Sequence, residues 1–204
     1  MDNEKLNILK LLIENKDLKF SIRQIARQRN INYKSAYSNL LKLEKENVVD
    51  LERYGNTTLC SFNNRFNNSV FQVEYYRKNE LLKNKTFAVL HKSLFEINSQ
   101  FILLLFGSYV KGKETKNSDI DLLLISNNPK DVETQIGLLP LNIHLTDIDY
   151  KDFVLMLESK KFSVVSEAFQ KNIILFGIED YYRLVEKCLT PKESKKQNRM
   201  LGIT

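Results

Sequence analysis

The chain reads as α+β: a helical N-terminal section closed by a hairpin, a long linking helix, and then a small mixed sheet with flanking helices. Three observations predict this. Apolar residues in the first 46 positions recur at helical spacing and are interrupted twice by capping residues. Val48 to Phe62 holds two extended runs around Gly55-Asn56, a turn that suits a hairpin. Leu103 to Ile125, LLLFGSYVKGKETKNSDIDLLLI, places two apolar runs fit for buried strands on either side of a polar loop.

The elements follow in order. Glu4 to Asn15 puts Leu6, Ile8, Leu9, Leu11, Leu12 and Ile13 mostly on one side of a first helix. Leu18-Lys19-Phe20 is a short extended link, and Ser21 with Gln24 three residues later forms a capping box for a helix over Ile22 to Arg29. Asn32 caps a third helix, Tyr33 to Glu46, that buries Ala36, Leu40 and Leu43. FNNRFNNS is a polar break and the expected hinge. Val70 to Ile97 reads as one long helix with a broken apolar stripe. Strands are expected over Phe101–Phe106, Ile120–Ile125 and Leu139–Thr146. Helices should follow at Tyr150–Glu158 and Ser163–Lys171, then the short run Asn172 to Phe176 closed by Gly177, and a last helix from Ile178 to Leu189. The boundaries drawn from this are 1–63, 64–98 for the linking helix, 99–190, and a charged tail at 191–204.

Composition narrows the class. Net charge is +6 over 204 residues, a moderate basic excess that suits either a solvated Lys-rich surface or a polyanionic partner. The two cysteines, Cys60 and Cys188, have neither metal-ligand spacing nor a disulfide framework, which points to a reducing, cytoplasmic setting. No leader segment and no membrane-length apolar run is apparent, so no membrane partner is expected.

The loop between the apolar runs carries the chemistry. A small residue directly after a strand lets a phosphate approach the backbone, and Gly107-Ser108 occupies that point. The Ser108 hydroxyl and nearby N–H groups could hold phosphate oxygens if a helix begins here, with Lys111 and Lys113 close by. Asp119 and Asp121 are two apart on a strand and point to the same face. Adjacent carboxylates repel, and a divalent cation relieves that repulsion. Oxygen ligands of this kind suit Mg²⁺, or Mn²⁺ in its place, which also draws ligands from substrate phosphates.

Gly107-Ser108, ten intervening residues and Asp119-Ile120-Asp121, with Ser118 just ahead, closely resembles the Gly-Ser and Asp-x-Asp pattern of the minimal nucleotidyltransferases of the DNA polymerase β superfamily. The resemblance implies Ser108 as a triphosphate contact, Asp119 and Asp121 as catalytic metal ligands, and a nucleoside triphosphate as substrate. Gly107, Lys111, Lys113 and Ser118 complete the expected nucleotide contacts. That family usually has a third carboxylate on the next strand. Here that strand offers Asn142 and His144, on one face and without negative charge. Asp147 and Asp149, just beyond, are expected to cap the following helix.

The first 63 residues resemble prokaryotic winged helix-turn-helix domains, in the order helix, helix, helix, hairpin. The resemblance implies DNA binding, with the third helix in the major groove. Tyr33, Lys34, Ser35, Tyr37, Ser38 and Asn39 would then face base edges, and Arg23, Arg27, Lys42 and Arg53 would meet phosphates. No Arg stands in that third helix, which argues against strong guanine readout. The C-terminal segment resembles the closing piece of nucleotidyltransferase domains fused to winged helices. Tyr181 and Tyr182 there are assigned to core packing rather than to base stacking.

Two functions stay open on the sequence. One is Mg²⁺-dependent transfer of a nucleoside monophosphate to a hydroxyl acceptor by a DNA-binding protein. The other is a non-catalytic regulator, antitoxin-like, that uses the transferase fold as a nucleotide sensor or a platform for a protein partner such as a toxin. A third reading makes the winged helix a dimerisation module only, and a homodimer is compatible with the other two.

Overall fold

The computed structural model describes residues 3–115, 118–159 and 161–189. The charged tail at 191–204 therefore lies outside the described residues. Among those residues the chain is a mixed α and β structure with two sheets.

Helix α1 (Glu4–Ile13) buries Leu6, Ile8, Leu9, Leu12 and Ile13. A two-residue strand β1 (Phe20–Ser21) leads into α2 (Ile22–Arg29). The capping box forms as expected: Gln24 N–H donates to Ser21 Oγ at 3.3 Å, and Ser21 N–H donates to Gln24 Oε1 at 2.7 Å. Asn32 accepts from Ser35 N–H at 2.8 Å and opens α3 (Tyr33–Lys45). The hairpin is β2 (Val49–Tyr54) and β3 (Thr57–Phe62), turning at Gly55 with φ +56°. β1 pairs with the outer side of β3, giving a three-stranded antiparallel sheet in the order β1-β3-β2.

The long helix expected over 70–97 is two helices. α4 runs Asn68–Leu81 and α5 runs Lys85–Phe95. Asn84 separates them: its side chain accepts from Thr86 N–H at 2.9 Å, so it starts a new helix instead of continuing the old one. The polar break ahead of α4 is held in place. Asn67 accepts from Val70 N–H at 2.9 Å, Phe66 N–H donates to Glu186 at 2.7 Å, and the Phe66 ring stacks on Tyr182 at 5.5 Å.

The second sheet has the order β6-β5-β4-β7. β4 (Ile102–Leu105) pairs antiparallel with β5 (Ile120–Ile125) and with β7 (Ile173–Phe176), while β6 (Ile143–Ile148) runs parallel to β5. β4 and β5 read as continuous apolar runs because both of their faces are covered. Leu103, Leu105, Leu122 and Leu124 meet Phe87, Leu90 and Leu94 of α5 and Val132 and Ile136 of α7 (Lys130–Gly137). Ile102, Leu104, Leu123 and Ile125 meet Phe153 of α8 (Tyr150–Ser159), Val165 of α9 (Val164–Gln170), and Tyr181 and Tyr182 of α10 (Ile178–Leu189). That second cluster continues into the N-terminal helices, so one apolar core joins the two sheets. A four-residue helix α6 (Ser108–Lys111) sits in the β4–β5 loop.

β6 begins four residues later than the strand expected from Leu139. Pro140 has no N–H to give a ladder, and Leu139 to Leu141 instead fold back as a turn after α7, with Leu141 N–H donating to Leu139 O at 2.8 Å. Asp147 consequently lies inside β6 and caps no helix among the described residues, whereas Asp149 does accept from Asp152 N–H at 2.7 Å at the start of α8. At Gly177, φ is +74° and a Cβ would stand 2.9 Å from Phe101 O, so only glycine fits between β7 and α10.

A charged network lies under this core. Glu74 on α4 has no solvent exposure, accepts from Arg77 Nη1 at 2.6 Å and accepts from the Tyr182 hydroxyl at 2.7 Å. Arg77 Nη2 donates to Asn172 O at 2.6 Å, and Asn172 Nδ2 donates to the Tyr181 hydroxyl at 3.2 Å. The Lys16 ammonium is sealed beside the Tyr181 ring, 5.3 Å from its centroid, and makes no hydrogen bond among the described residues. Burial lowers that ammonium to about 8, with Glu74 pulling the other way. Tyr181 and Tyr182 are core residues, as assigned from the sequence, and burial pushes both phenols up.

Candidate active site

The acids stand where β5 emerges from the core. Alternation puts residues 119, 121, 123 and 125 on one face; Leu123 and Ile125 are buried there, Asp121 is half-buried and Asp119 is exposed. Both carboxylates thus reach water at one end of an otherwise apolar face.

Gly107 lies directly against Asp121. Its φ of +74° and ψ of −144° are open to glycine, and a Cβ there would come 2.1 Å from Asp121 Oδ2. The absence of a side chain is what lets the turn after β4 touch the carboxylate. Phe106 N–H donates to Asp121 O at 3.1 Å, which fixes the turn to the strand. Ser108 is half-buried, begins α6 and makes no side-chain hydrogen bond among the described residues.

The neighbouring strand brings its two polar residues to the acids. In the parallel β5–β6 register Asp121 pairs with His144, and Ile120 N–H donates to Asn142 O at 2.9 Å. Asn142 Nδ2 donates to Asp119 Oδ1. His144 Nδ1 lies 3.4 Å from Asp121 Oδ1, with 66% of the imidazole exposed against 27% of the Asp121 side chain. Asn142 and His144 therefore share the face of Asp119 and Asp121. Among the described residues, no group of three His, Cys, Asp or Glu forms a metal-ligand cluster.

The remaining expected phosphate contacts divide. Lys111 Nζ is 2.5 Å from Glu167 Oε1, which ties α6 to α9. Ser118 Oγ accepts from Thr115 N–H at 2.8 Å, so this hydroxyl closes the loop on itself. Lys113 is exposed, and its N–H donates to Ser108 O at 3.1 Å. Residues 116 and 117 of the loop lie outside the described residues. Glu167 and Thr115 were not anticipated; Glu167 is 56 residues from Lys111, a separation that local pattern does not span.

In the N-terminal section Arg23, Arg27, Tyr33, Lys34, Tyr37, Ser38, Lys42 and Arg53 are exposed, and Ser35 is half-buried. Asn39 is turned back on its own helix, its Nδ2 donating to Ser35 O at 3.0 Å. Arg53 Nε donates to Gly55 O at 3.4 Å across the hairpin turn. Among the described residues no helix is long and apolar enough to cross a membrane.

Residues 92–181, from the second half of α5 to the start of α10, match the family model described as polymerase beta, nucleotidyltransferase. A comparison with curated proteins gives no match, and neither does a comparison with solved structures. The matched segment contains β4, Gly107-Ser108, Asp119, Asp121 and the whole of β6. Residues 92–181 therefore carry a nucleotidyltransferase fold.

Proposed function

We propose that this protein transfers a nucleoside monophosphate from a nucleoside triphosphate to a hydroxyl acceptor, and that its N-terminal section is a winged helix-turn-helix that binds DNA. The observation that carries the transferase reading is the contact between the Gly107 turn and the Asp121 carboxylate, with Asp119 two residues earlier, just ahead of β5. A turn with no side chain against one carboxylate, with a second carboxylate two residues away, suits a polyphosphate bridged to them by a cation.

The donor set fits Mg²⁺ or Mn²⁺. Asp119 and Asp121 offer hard oxygen ligands, and Mg²⁺ is commonly held by one or two carboxylates with substrate phosphates and water completing its shell. Bound there, the cation would polarise the phosphoryl oxygens and neutralise charge that develops in transfer. The chain's own residues do the rest. Gly107 lets the turn after β4 close on the Asp121 carboxylate, and Ser108 donates its hydroxyl to a phosphate oxygen. Lys113 supplies positive charge, joined by Lys111 once it leaves Glu167. Asn142 and His144 hold the carboxylates in place from β6. The acceptor hydroxyl gives its proton to solvent as its oxygen bonds to the α-phosphorus and the bond to pyrophosphate breaks. The test is a transfer assay with each labelled triphosphate, divalent metal, and total cellular protein or RNA as acceptor. Label should move only with metal present and should be lost in the double variant Asp119→Ala, Asp121→Ala; transfer that survives that change would remove the assignment.

A second reading is favoured by the missing third carboxylate. On β6 both side chains that face the acids, an amide and an imidazole, are uncharged or cationic. In that reading the fold serves a non-catalytic, antitoxin-like regulator that senses nucleotide or docks a partner. Calorimetric binding of triphosphate with no turnover would favour it.

For the N-terminal section, support comes from α2 and α3 with the hairpin beside them, and from the exposure of Arg23, Arg27, Lys34, Lys42 and Arg53. Binding to duplex DNA that weakens steeply with added salt is the expected result.

A further inference from the structure

The outer face of α3 has a composition with a specific consequence for what it reads. Residues 18–43 contain six basic side chains and no Asp or Glu. Of these, Lys19 pairs with Glu52 and Arg29 with Glu4, while Arg23, Arg27, Lys34 and Lys42 are exposed without an ion pair among the described residues. Such a face suits a polyanion. Its means of distinguishing bases are narrow. α3 has no Arg and no Gln, and its Asn39 amide already donates to Ser35 O. Bidentate readout of guanine by Arg, or of adenine by Asn or Gln, therefore has no side chain in α3 to perform it, which leaves Lys34 as its one basic residue near the base edges.

What α3 presents instead is aromatic. Tyr33 and Tyr37, one turn apart, are 51% and 41% exposed, although large rings are normally buried. Their rings lie nearly parallel, with centroids 6.3 Å apart and planes 10° from one another. They form a continuous apolar shelf on the solvent side of the helix. At one end of the shelf, a cavity of about 390 Å³ lies between Ser21, Arg23, Tyr33 and the hairpin residues Asn56 and Thr57. Its polar walls and Arg23 suit a backbone phosphate. A helix about 10–12 Å across fits a major groove about 12 Å wide, and the feature that groove offers to an apolar surface is the thymine methyl group.

We propose that Tyr33 and Tyr37 are specificity-determining residues that read thymine methyl groups in the major groove of A·T-rich duplex DNA. This rests on the nucleic-acid reading of the N-terminal section and names its substrate class.

The test uses defined duplexes: alternating poly(dA-dT), the same polymer with deoxyuridine in place of thymidine, and alternating poly(dG-dC). Deoxyuridine lacks only the methyl. Fluorescence anisotropy at two salt concentrations, on the full chain, should give tightest binding to poly(dA-dT), with about a four-fold loss for each methyl contact removed by uridine. The double variant Tyr33→Ser, Tyr37→Ser should erase the difference between thymidine and uridine polymers and keep the salt dependence. Tyr37→Phe, which keeps the ring, should retain the discrimination. Both rings are exposed, so far-ultraviolet circular dichroism of the variants should be unchanged. Equal affinity for the thymidine and uridine polymers, or tighter binding to poly(dG-dC), would overturn the assignment while leaving nucleic-acid binding intact. No salt-dependent binding to any probe would overturn the nucleic-acid reading itself.

Discussion

Glu74 and Asp121 are both carboxylates held against neighbouring helices and strands, and they are satisfied to very different degrees. Glu74 has no solvent exposure, and each of its oxygens has a close donor, Arg77 at 2.6 Å and the Tyr182 hydroxyl at 2.7 Å. Asp121 is 27% exposed, its nearest cross-strand partner is an imidazole nitrogen at 3.4 Å, and its other oxygen lies beside a turn with no side chain. A buried charge must be paired within the fold, because leaving it unpaired costs several kcal/mol. A charge at a strand end, beside an open backbone turn, keeps lone pairs for something else. The first carboxylate is fully paired within the fold, and the second is not.

Replacing the two kinds of acid should separate them by stability. Glu74→Leu removes the buried partner of Arg77, leaving Glu14 at 3.5 Å from its Nε, and should lower unfolding free energy by about 3–5 kcal/mol in urea denaturation. Asp119→Asn with Asp121→Asn should move it by less than about 1 kcal/mol, since exposed or half-exposed charges contribute little. Comparable losses would erase the distinction.

Gly107→Ala sharpens the same contrast from the backbone side. The φ of +74° and the 2.1 Å approach to Asp121 mean that the new methyl must displace the carboxylate. Thermal denaturation should show a loss of about 1–3 kcal/mol. Triphosphate binding should fall with it.

The buried cluster also predicts a pH response. The Lys16 ammonium sits near 8, below the ordinary lysine value, because burial disfavours its charge. The unfolded chain therefore holds more protons than the native one between about pH 8 and 10.5, and stability rises with pH through that window. From pH 7 to 9.5 the gain should be on the order of 1–2 kcal/mol. Lys16→Met should flatten the slope; an unchanged slope would mean that the ammonium is not sealed in the core.

The smallest effect should come from Glu167→Gln. The Lys111–Glu167 pair is partly exposed, so its loss should cost less than about 0.5 kcal/mol. Freeing Lys111 should tighten triphosphate binding by about two-fold or more in calorimetry, and weaker binding would mean that Glu167 itself supports the site.

How much was legible in the sequence follows from the range of each interaction. The Gly107 turn and the Asp119–Asp121 pair lie within one strand-loop-strand unit, so spacing and alternation alone reveal their common face. Ser21, Gln24 and Asn32 announce α2 and α3 because caps act over three residues. The split between α4 and α5 was carried by Asn84, whose capping role is masked by the apolar stripe on either side of it. The position of β6 depended on Pro140 and on pairing to β5. That registry moved Asp147 into the strand and set His144 opposite Asp121. The Glu74 network was not legible at all. Tyr182 lies 108 residues from Glu74 and Asn172 lies 95 from Arg77, and nothing local requires either contact.

Calorimetric titration of a nucleoside triphosphate into the full chain, with and without Mg²⁺, tests the central claim most directly. Binding should require the cation and should vanish in the variant Asp119→Ala, Asp121→Ala while its thermal stability holds. Triphosphate binding that is equally tight without Mg²⁺, or undiminished in that variant, would contradict the assignment of these two carboxylates.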